Sequence, residues 1–167
     1  RPGGPPEPFL RTFADPQSLC EAPHGALWIG SQTQIVVWAN GGVRRTIERP
    51  DKAANHNIIY DCAFDAEGDY WISAAGGGVH RYRRGRWEEV LEPGDRADFY
   101  PTTMVRTPQG GVVVQTGDRL VWIEHSGRAS TRLDFGASDL KVLTLYSSGD
   151  YVFAAGAFGL SRFRAGE

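Results

Sequence analysis

The sequence lacks most of the features that would mark an enzyme, a metalloprotein or a membrane protein. No stretch approaches the ~18 consecutive apolar residues of a membrane span. The net charge is only −2, with both signs interspersed, so nothing favours nucleic acid as a partner. The four histidines have no metal-pairing spacing, and neither a Gly-x-Ser-x-Gly motif nor a phosphate-binding glycine loop is present. We therefore expect no cofactor, no metal and no catalytic residue in this chain.

Cysteine is scarce as well, since Cys20 and Cys62 are the only two. Two cysteines do not make a disulfide framework. They lie eight and nine residues before Trp28 and Trp71, which places them in the innermost strands of neighbouring repeats. Equivalent strands of neighbouring repeats diverge, which is poor geometry for a bridge. The sequence favours two buried free thiols and leaves their pairing open.

Long stretches of helical periodicity are missing too, and a repeat of about forty residues takes their place. The repeats are marked by the glycines Gly25, Gly68, Gly110 and Gly149, whose spacings are 43, 42 and 39 residues. The third residue after each glycine is large and apolar, namely Trp28, Trp71, Val113 and Val152. A period of this size that fills the chain indicates stacked supersecondary units.

The second repeat shows what one unit contains. Residues 58–91 alternate in polarity over four short segments, which are separated by the turns 65–68, 75–78 and 84–85. Four strands with their turns use about forty residues, which matches a blade of a β-propeller. The sequence therefore predicts an all-β propeller of about four four-stranded antiparallel blades, or an arc of a larger propeller. The blades are expected at about 18–50, 58–92, 103–134 and 140–167.

The segment DAEGDYWISAAGGGVHRY, residues 65–82, resembles the two-component-regulator propeller repeat. That repeat reads roughly Asp-x-x-Gly-x-Leu-Trp-Ile-Gly-Thr-x-x-Gly-Gly-Leu-x-Arg-Tyr. The matching residues are Asp65, Gly68, Trp71, Ile72, Gly77, Gly78, Arg81 and Tyr82. GALWIGS (25–31) matches the first half of the pattern, FGLSRF (158–163) matches the second half, and 107–122 is degenerate. The resemblance implies a periplasmic ligand-sensing domain of a bacterial receptor, whose kinase or diguanylate cyclase output domain is outside this chain.

The repeated residues are accounted for by folding rather than by chemistry. A large flat tryptophan buries much area between neighbouring blades, and Trp28 and Trp71 are expected to do so at equivalent positions. The four leading glycines are expected to have positive φ in hairpin turns. We assign a structural role to Gly25, Trp28, Gly68, Trp71, Gly110, Val113, Gly149 and Val152.

Ligand binding is expected in the long polar crossings between blades. Residues 48–57 and 92–101 are about ten residues each, and long loops on a rigid scaffold commonly carry binding sites. The candidate ligand-binding residues are Lys52, Asn55, His56, Asn57, Asp95, Arg96, Asp98 and Tyr100.

Three classes of function remain open after these observations. The first is a non-catalytic sensory propeller that binds a small molecule or a saccharide. The second is a scaffold for protein interaction or dimerisation, and the third is a propeller lyase or hydrolase. The third would need an acid–base or metal cluster, and the sequence does not reveal one.

The two ends of the chain raise the question of how the propeller closes. Residues 1–7 are rich in proline and glycine and are expected to be a disordered lead-in. Residues 8–13 resemble an outer strand, so Leu10 and Phe13 are expected in strand and partly buried. This strand could complete blade four of a closed ring. Alternatively, the chain is an arc that further sequence or a second chain, such as a homodimer partner, completes.

Overall fold

The structure is a computed structural model that describes residues 15–50, 58–74, 78–92, 101–117, 119–134, 142–157 and 159–164. These residues form fifteen strands and no helix, which confirms the all-β prediction. None of them forms a helix that is long and apolar enough to cross a membrane.

The strands are grouped in four antiparallel sheets that follow one another along the chain. Blade one comprises β1 (Ser18–Glu21), β2 (Leu27–Gly30), β3 (Gln34–Ala39) and β4 (Gly42–Glu48). Blade two comprises β5 (Ile59–Phe64), β6 (Tyr70–Ala74), β7 (Gly78–Arg83) and β8 (Arg86–Leu91). Blade three comprises β9 (Pro101–Arg106), β10 (Val112–Thr116), β11 (Arg119–Ile123) and β12 (Ala129–Asp134). Blade four comprises β13 (Val142–Ser148), β14 (Tyr151–Gly156) and β15 (Gly159–Arg164), three strands within the described residues.

The blades stack face to face around their first strands, as in a β-propeller. β1 contacts β5, β5 contacts β9, and β9 contacts β13. Each pair of neighbouring blades encloses one layer of apolar side chains, so the core consists of three such layers. We call the face toward the preceding blade the front face and the opposite one the back face. The propeller prediction is confirmed, and no closed sheet is found among the described residues.

Trp28 and Trp71 both lie on the back face of their blades. Trp71 is fully buried between blades two and three. Trp28 is 7% exposed, and its ring centroid lies 5.4 Å from that of Phe64 and 4.7 Å from that of Tyr70, both in blade two. Large aromatic surfaces therefore fill the inner layers, where each blade packs on the next.

The fourth repeat departs from the expected register. Val152 is buried, but it packs in the layer shared with blade three and therefore lies on the front face. The reason is a shorter hairpin, because Ser148 pairs with Tyr151 across residues 149–150, whereas Phe64 pairs with Tyr70 across residues 65–69. Since side chains alternate along a strand, an offset of one residue moves them to the opposite face.

The residue that corresponds to Trp71 in the fourth blade is therefore Phe153. Phe153 pairs with Arg162, as Trp71 pairs with Arg81. The two arginines also occupy the same position in the repeat pattern, which supports this alignment.

The leading glycines adopt the backbone conformation that favours glycine. Their φ values are +79° at Gly25, +84° at Gly68, +83° at Gly110 and +53° at Gly149. Gly111 has a stricter requirement, since a Cβ atom there would lie 2.1 Å from the carbonyl oxygen of Ile123. The doubled glycine at 110–111 thus lets the turn pass close to the backbone of β11.

The expectation of two free thiols is wrong, because Cys20 and Cys62 form a disulfide with a Cα–Cα distance of 6.1 Å. The difference between eight and nine residues before the tryptophan explains the pairing. Cys20 pairs with Trp28 in its sheet and shares its back face, whereas Cys62 pairs with Ile72 on the front face of blade two. The two sulfurs therefore face each other across the layer between blades one and two.

A partly buried carboxylate connects the first strands of blades two and three. Asp61 Oδ2 accepts hydrogen bonds from the backbone N–H of Met104 at 2.8 Å and from Thr103 Oγ1 at 3.3 Å. Its Oδ1 accepts one from the N–H of Cys62 at 2.8 Å. Backbone donors are costly to leave unpaired, so this carboxylate holds β9 against β5.

The change Asp61→Asn is expected to alter how stability depends on pH. Burial is the main cause that raises the pKa of Asp61 above 3.8, and hydrogen bonds from Met104, Cys62 and Thr103 oppose it. The folded protein thus holds this proton more tightly than the unfolded chain. Its contribution to stability is present below pH 3.8 and is lost as pH rises through the folded pKa.

The measurement is urea denaturation of the wild type and of D61N at several pH values. The free energy of unfolding of the wild type relative to D61N should decrease from pH 3.8 upward. Asp150→Asn, at an exposed position, is the matched control. A difference between wild type and D61N that is constant with pH would contradict this account.

Candidate functional site

The ligand-binding residues predicted from the crossings lie outside the described residues, and so do residues 1–13. The roles predicted for both sets stay predictions. The ligand-binding candidates are Lys52, Asn55, His56, Asn57, Asp95, Arg96, Asp98 and Tyr100, and the residues of the predicted N-terminal strand are Leu10 and Phe13. Among the described residues, a candidate site lies at the end of the propeller opposite to the one where the crossings begin.

That opposite end carries the turns at which the first strands reverse into the second strands. We call it the turn end, and it includes residues 22–26, 65–69, 107–111 and 149–150. The crossings between blades begin at the other end, because strands alternate in direction within each blade. All four first strands finish at the turn end, so their last residues converge there.

A cavity of ≈ 360 Å³ opens between these converging strands. Its lining includes the Cys20–Cys62 disulfide and the apolar side chains of Phe64 and Met104. Small-molecule sites are clefts of roughly 300–1,000 Å³ that are mostly apolar with a few polar groups. The cavity falls within this range and is lined by residues from all four blades.

Charged and aromatic groups surround the mouth of the cavity. Glu21 and Arg106, at the ends of β1 and β9, supply one charge of each sign, and both residues are exposed. Tyr146 of β13 contributes an aromatic ring that is 65% exposed. The site therefore offers hydrogen-bond donors and acceptors beside an apolar floor, the combination that fixes the orientation of a small ligand.

A second polar feature at the turn end joins blades two and three. Asp65 is buried at the start of the turn 65–69, where its Oδ1 accepts hydrogen bonds from the N–H groups of Glu67 and Asp69. Its Oδ2 accepts the indole N–H of Trp71 at 2.9 Å and lies 3.1 Å from Nδ1 of His125. His125 belongs to the turn between β11 and β12, so the contact crosses the blade interface.

Three further groups extend this cluster. His125 Nδ1 lies 3.2 Å from Glu67 Oε2 and 3.9 Å from Asp69 Oδ2. Burial, followed by the charge of Asp65, raises the pKa of Asp69. Arg83 Nε, 3.3 Å from Asp69 Oδ2, opposes that rise. The cluster thus concentrates negative charge beside one imidazole.

Arg81 also connects blades two and three, and its guanidinium lies over the ring of Trp71. Its guanidinium carbon lies 5.1 Å from the Trp71 ring centroid, and the guanidinium donates a hydrogen bond to the backbone carbonyl of His125. It also contacts Glu88 Oε2 at 2.5 Å, which is the main reason that the pKa of Glu88 is lowered. The arginine therefore spans from blade two to the β11–β12 turn of blade three.

The ligand atoms of Asp65, Asp69 and His125 lie within 4.8 Å of one another, a set that could hold a metal ion. Both oxygens of Asp65 already accept hydrogen bonds from protein donors, so a cation would compete with the turn and with Trp71. The arrangement fits a hydrogen-bonded contact between blades two and three better than a metal centre. Sequence reasoning missed the cluster because residues 65 and 125 are distant in the chain and share no motif.

The four stacked antiparallel blades define the chain as a β-propeller. No protein-family model and no curated protein sequence matches it. Solved structures do match. Virginiamycin B lyase from Staphylococcus aureus aligns with a TM-score of 0.68 and 14% identity, over 93% of this chain and 57% of that chain. The extracellular domain of the two-component-system protein BT4673 from B. thetaiotaomicron aligns with a TM-score of 0.72 and 16% identity.

The shares of each chain that align differ between the neighbours. The alignment with BT4673 covers 95% of this chain and 22% of that one. The computationally designed Ika4 protein aligns with a TM-score of 0.66 and 15% identity, over 93% of this chain and 95% of that one. This chain thus spans just over half of the lyase, about a fifth of the BT4673 domain and nearly all of Ika4. At such identities the likeness shows the fold alone.

Proposed function

We propose that this chain is a non-catalytic, ligand-binding propeller of a bacterial signalling receptor, and that the cavity at the turn end is its binding site. The observation that carries the proposal is the convergence of four first strands on one cavity of ≈ 360 Å³ with both charges at its mouth. Extracellular domains of two-component-system proteins are among the structural neighbours, and they support the same class of function.

The lining favours a small ligand with an apolar face and several polar groups, of which a saccharide is the simplest example. Phe64 and Tyr146 offer aromatic surface to the C–H face of such a molecule. Glu21 can accept hydrogen bonds from hydroxyl groups, and Arg106 can donate them. A ligand of this kind would contact all four blades, so its binding would affect the whole domain.

An extracytoplasmic location is part of the proposal. The Cys20–Cys62 disulfide supports it, because disulfides form and persist mainly in oxidising compartments such as the bacterial periplasm. The resemblance of residues 65–82 to a periplasmic sensor repeat points the same way.

Arg106→Ala is expected to weaken ligand binding about ten- to a hundredfold, since a hydrogen bond to a charged group contributes about 1.5–3 kcal/mol. A panel of saccharides, amino acids and short peptides is screened by thermal shift, and compounds that stabilise the chain are titrated calorimetrically. Arg128→Ala, an exposed arginine outside the cavity, is the matched control and should bind as the wild type does. Equal binding by Arg106→Ala, or a panel without a single binder, would contradict the proposal.

One observation favours a second candidate, a propeller lyase or hydrolase. A carboxylate beside an imidazole, as in Asp65 and His125, is a common general-base arrangement. We rank this candidate second because neither residue lines the cavity. Turnover by the purified chain that is abolished in a folded His125→Ala variant would reverse the ranking.

A further inference from the structure

A ring of equivalent residues, one from each blade, lines the cavity at the turn end. Each pairs with the second-strand residue that directly precedes the back-face residue of its blade. The ring residues are Glu21, Phe64, Arg106 and Ser147. We infer, on the basis of the proposed function, that the ligand of this cavity is a short linear peptide with free ends. Glu21 binds its ammonium group, and Arg106 binds its carboxylate.

The chemistry of the ring is not what packing requires. The equivalent positions two residues earlier on the same strands carry only apolar residues or cysteine, namely Leu19, Cys62, Met104 and Leu145. Repeats that pack in the same way need the same kind of side chain at such positions. The ring instead carries an acid, an aromatic residue, a base and an alcohol. A ligand that lies across the ring explains these differences, whereas blade packing does not.

The two charged groups of the ring are available to a ligand. Glu21 and Arg106 are both exposed. Within the part of the chain that the structure describes, neither side chain forms an ion pair or a hydrogen bond. Arginine binds carboxylates through two parallel N–H donors, and a carboxylate accepts the hydrogen bonds of an ammonium group. The ring therefore offers one site for each end of a zwitterion.

The positions of both charged residues are fixed relative to β5, which lies between β1 and β9. Next to Glu21, the Cys20–Cys62 disulfide joins β1 to β5. Two residues before Arg106, the backbone N–H of Met104 donates to Asp61 Oδ2 at 2.8 Å and joins β9 to β5. A site whose backbone is already held in place loses less entropy when the ligand binds.

The place of β5 between the two charges defines the kind of zwitterion. A ligand that reaches both charges must cross the end of β5, where Cys62 and Phe64 make an apolar floor. A single amino acid carries both of its charges on one carbon atom. In an extended peptide of about two or three residues the ends are roughly 7–11 Å apart, and apolar side chains can lie on the floor between them.

The volume of the cavity and the pair of charges both favour a peptide over the alternatives. At ≈ 360 Å³ the cavity is near the lower end of ligand sites, which excludes a long peptide. A neutral sugar would use Glu21 and Arg106 only as hydrogen-bond partners. A peptide with free ends would also neutralise both charges.

The first test uses the unchanged protein and modified ligands. Dipeptides with apolar side chains, such as leucyl-phenylalanine, are titrated by calorimetry, and binding is expected. Acetylating the amine or amidating the carboxylate should each weaken binding about ten- to a hundredfold, the loss expected for a hydrogen bond to a charged group. Leucine alone should bind more weakly than the dipeptide.

Two neutral variants then assign the charges. Glu21→Gln should bind the free dipeptide about ten- to a hundredfold more weakly, but the acetylated dipeptide as the wild type does. Arg106→Gln should show the same pattern with the amidated dipeptide. Glu89→Gln and Arg128→Gln, both exposed and outside the cavity, are the matched controls and should bind every form as the wild type does.

Failure of the peptide inference can be told apart from failure of the proposed function. If no dipeptide binds but a saccharide of the thermal-shift panel does, and Arg106→Ala weakens that binding, the peptide inference is wrong and the proposed function stands. If neither dipeptides nor any other compound of the panel bind, both are wrong. Equal affinity for the free, acetylated and amidated dipeptides would also overturn the inference. So would a Glu21→Gln variant that weakens the free and acetylated forms alike, because Glu21 would then act through the fold.

Discussion

Replacing Trp71 by alanine is expected to lower the free energy of unfolding by about 3–5 kcal/mol, as for a large aromatic side chain removed from a core. The indole is fully buried between blades two and three, and its N–H donates to Asp65 Oδ2 at 2.9 Å. Its loss leaves a cavity and also removes a donor from the carboxylate that connects to His125. The measurement is urea denaturation followed by circular dichroism.

Two further variants separate the contributions of Trp71. Trp71→Phe keeps most of the apolar surface but removes the hydrogen bond to Asp65, so a smaller loss of about 1–3 kcal/mol is expected. Leu19→Ala, at an exposed position, should change stability by no more than about 0.5 kcal/mol. A loss below about 1 kcal/mol for Trp71→Ala would show that the indole does not hold the blades together.

Removing the disulfide by the double change Cys20→Ser and Cys62→Ser is expected to cost about 4 kcal/mol. The two cysteines are 42 residues apart, and a loop of that length restricts the unfolded chain by roughly this amount. The bond also joins the first strands of blades one and two, so its loss should loosen the turn end. Urea denaturation of the oxidised wild type and of the double variant measures the difference.

Reduction provides the matched control for the disulfide. A thiol reductant should lower the stability of the wild type to that of the double variant and should leave the double variant unchanged. Two titratable thiols in the unfolded wild type without reductant, together with equal stability of both proteins, would contradict the pairing.

Much of the fold follows from the sequence because the repeat has a period of its own. The spacing of Gly25, Gly68 and Gly110 predicts the hairpin turns, and each of these glycines has positive φ. Alternating polarity within 58–91 predicts the four strands of blade two, which the structure forms at 59–91. Both signals are local, and local turn chemistry and strand periodicity are what a sequence carries most directly.

The register of side chains across blades is harder to obtain from the sequence. A difference of one residue decides whether a side chain lies on the front or the back face, and this reversed the expectation for Cys20 and Cys62. For the same reason Phe153, and not the expected Val152, is the residue of blade four that corresponds to Trp71. Such offsets depend on hairpin length, which a repeat pattern alone does not define.

The candidate site needed the three-dimensional structure for a different reason. Its cavity is made mainly by two or three residues from each first strand, and these residues share no motif. Length and polarity direct sequence reasoning to the crossings, whereas the cavity lies at the end with the short turns. The same holds for Asp65 and His125, which meet only because neighbouring blades stack.

The most direct test of the proposed binding site uses Met104, which is the single methionine of the chain and lines the cavity. Labelling its methyl group with ¹³C gives one resonance that reports on the site. Titration with a compound that stabilises the chain in the thermal-shift panel should shift this resonance with the same affinity that calorimetry measures. Calorimetric saturation by such a compound while the Met104 methyl resonance stays in place would contradict the assignment of the cavity as the binding site.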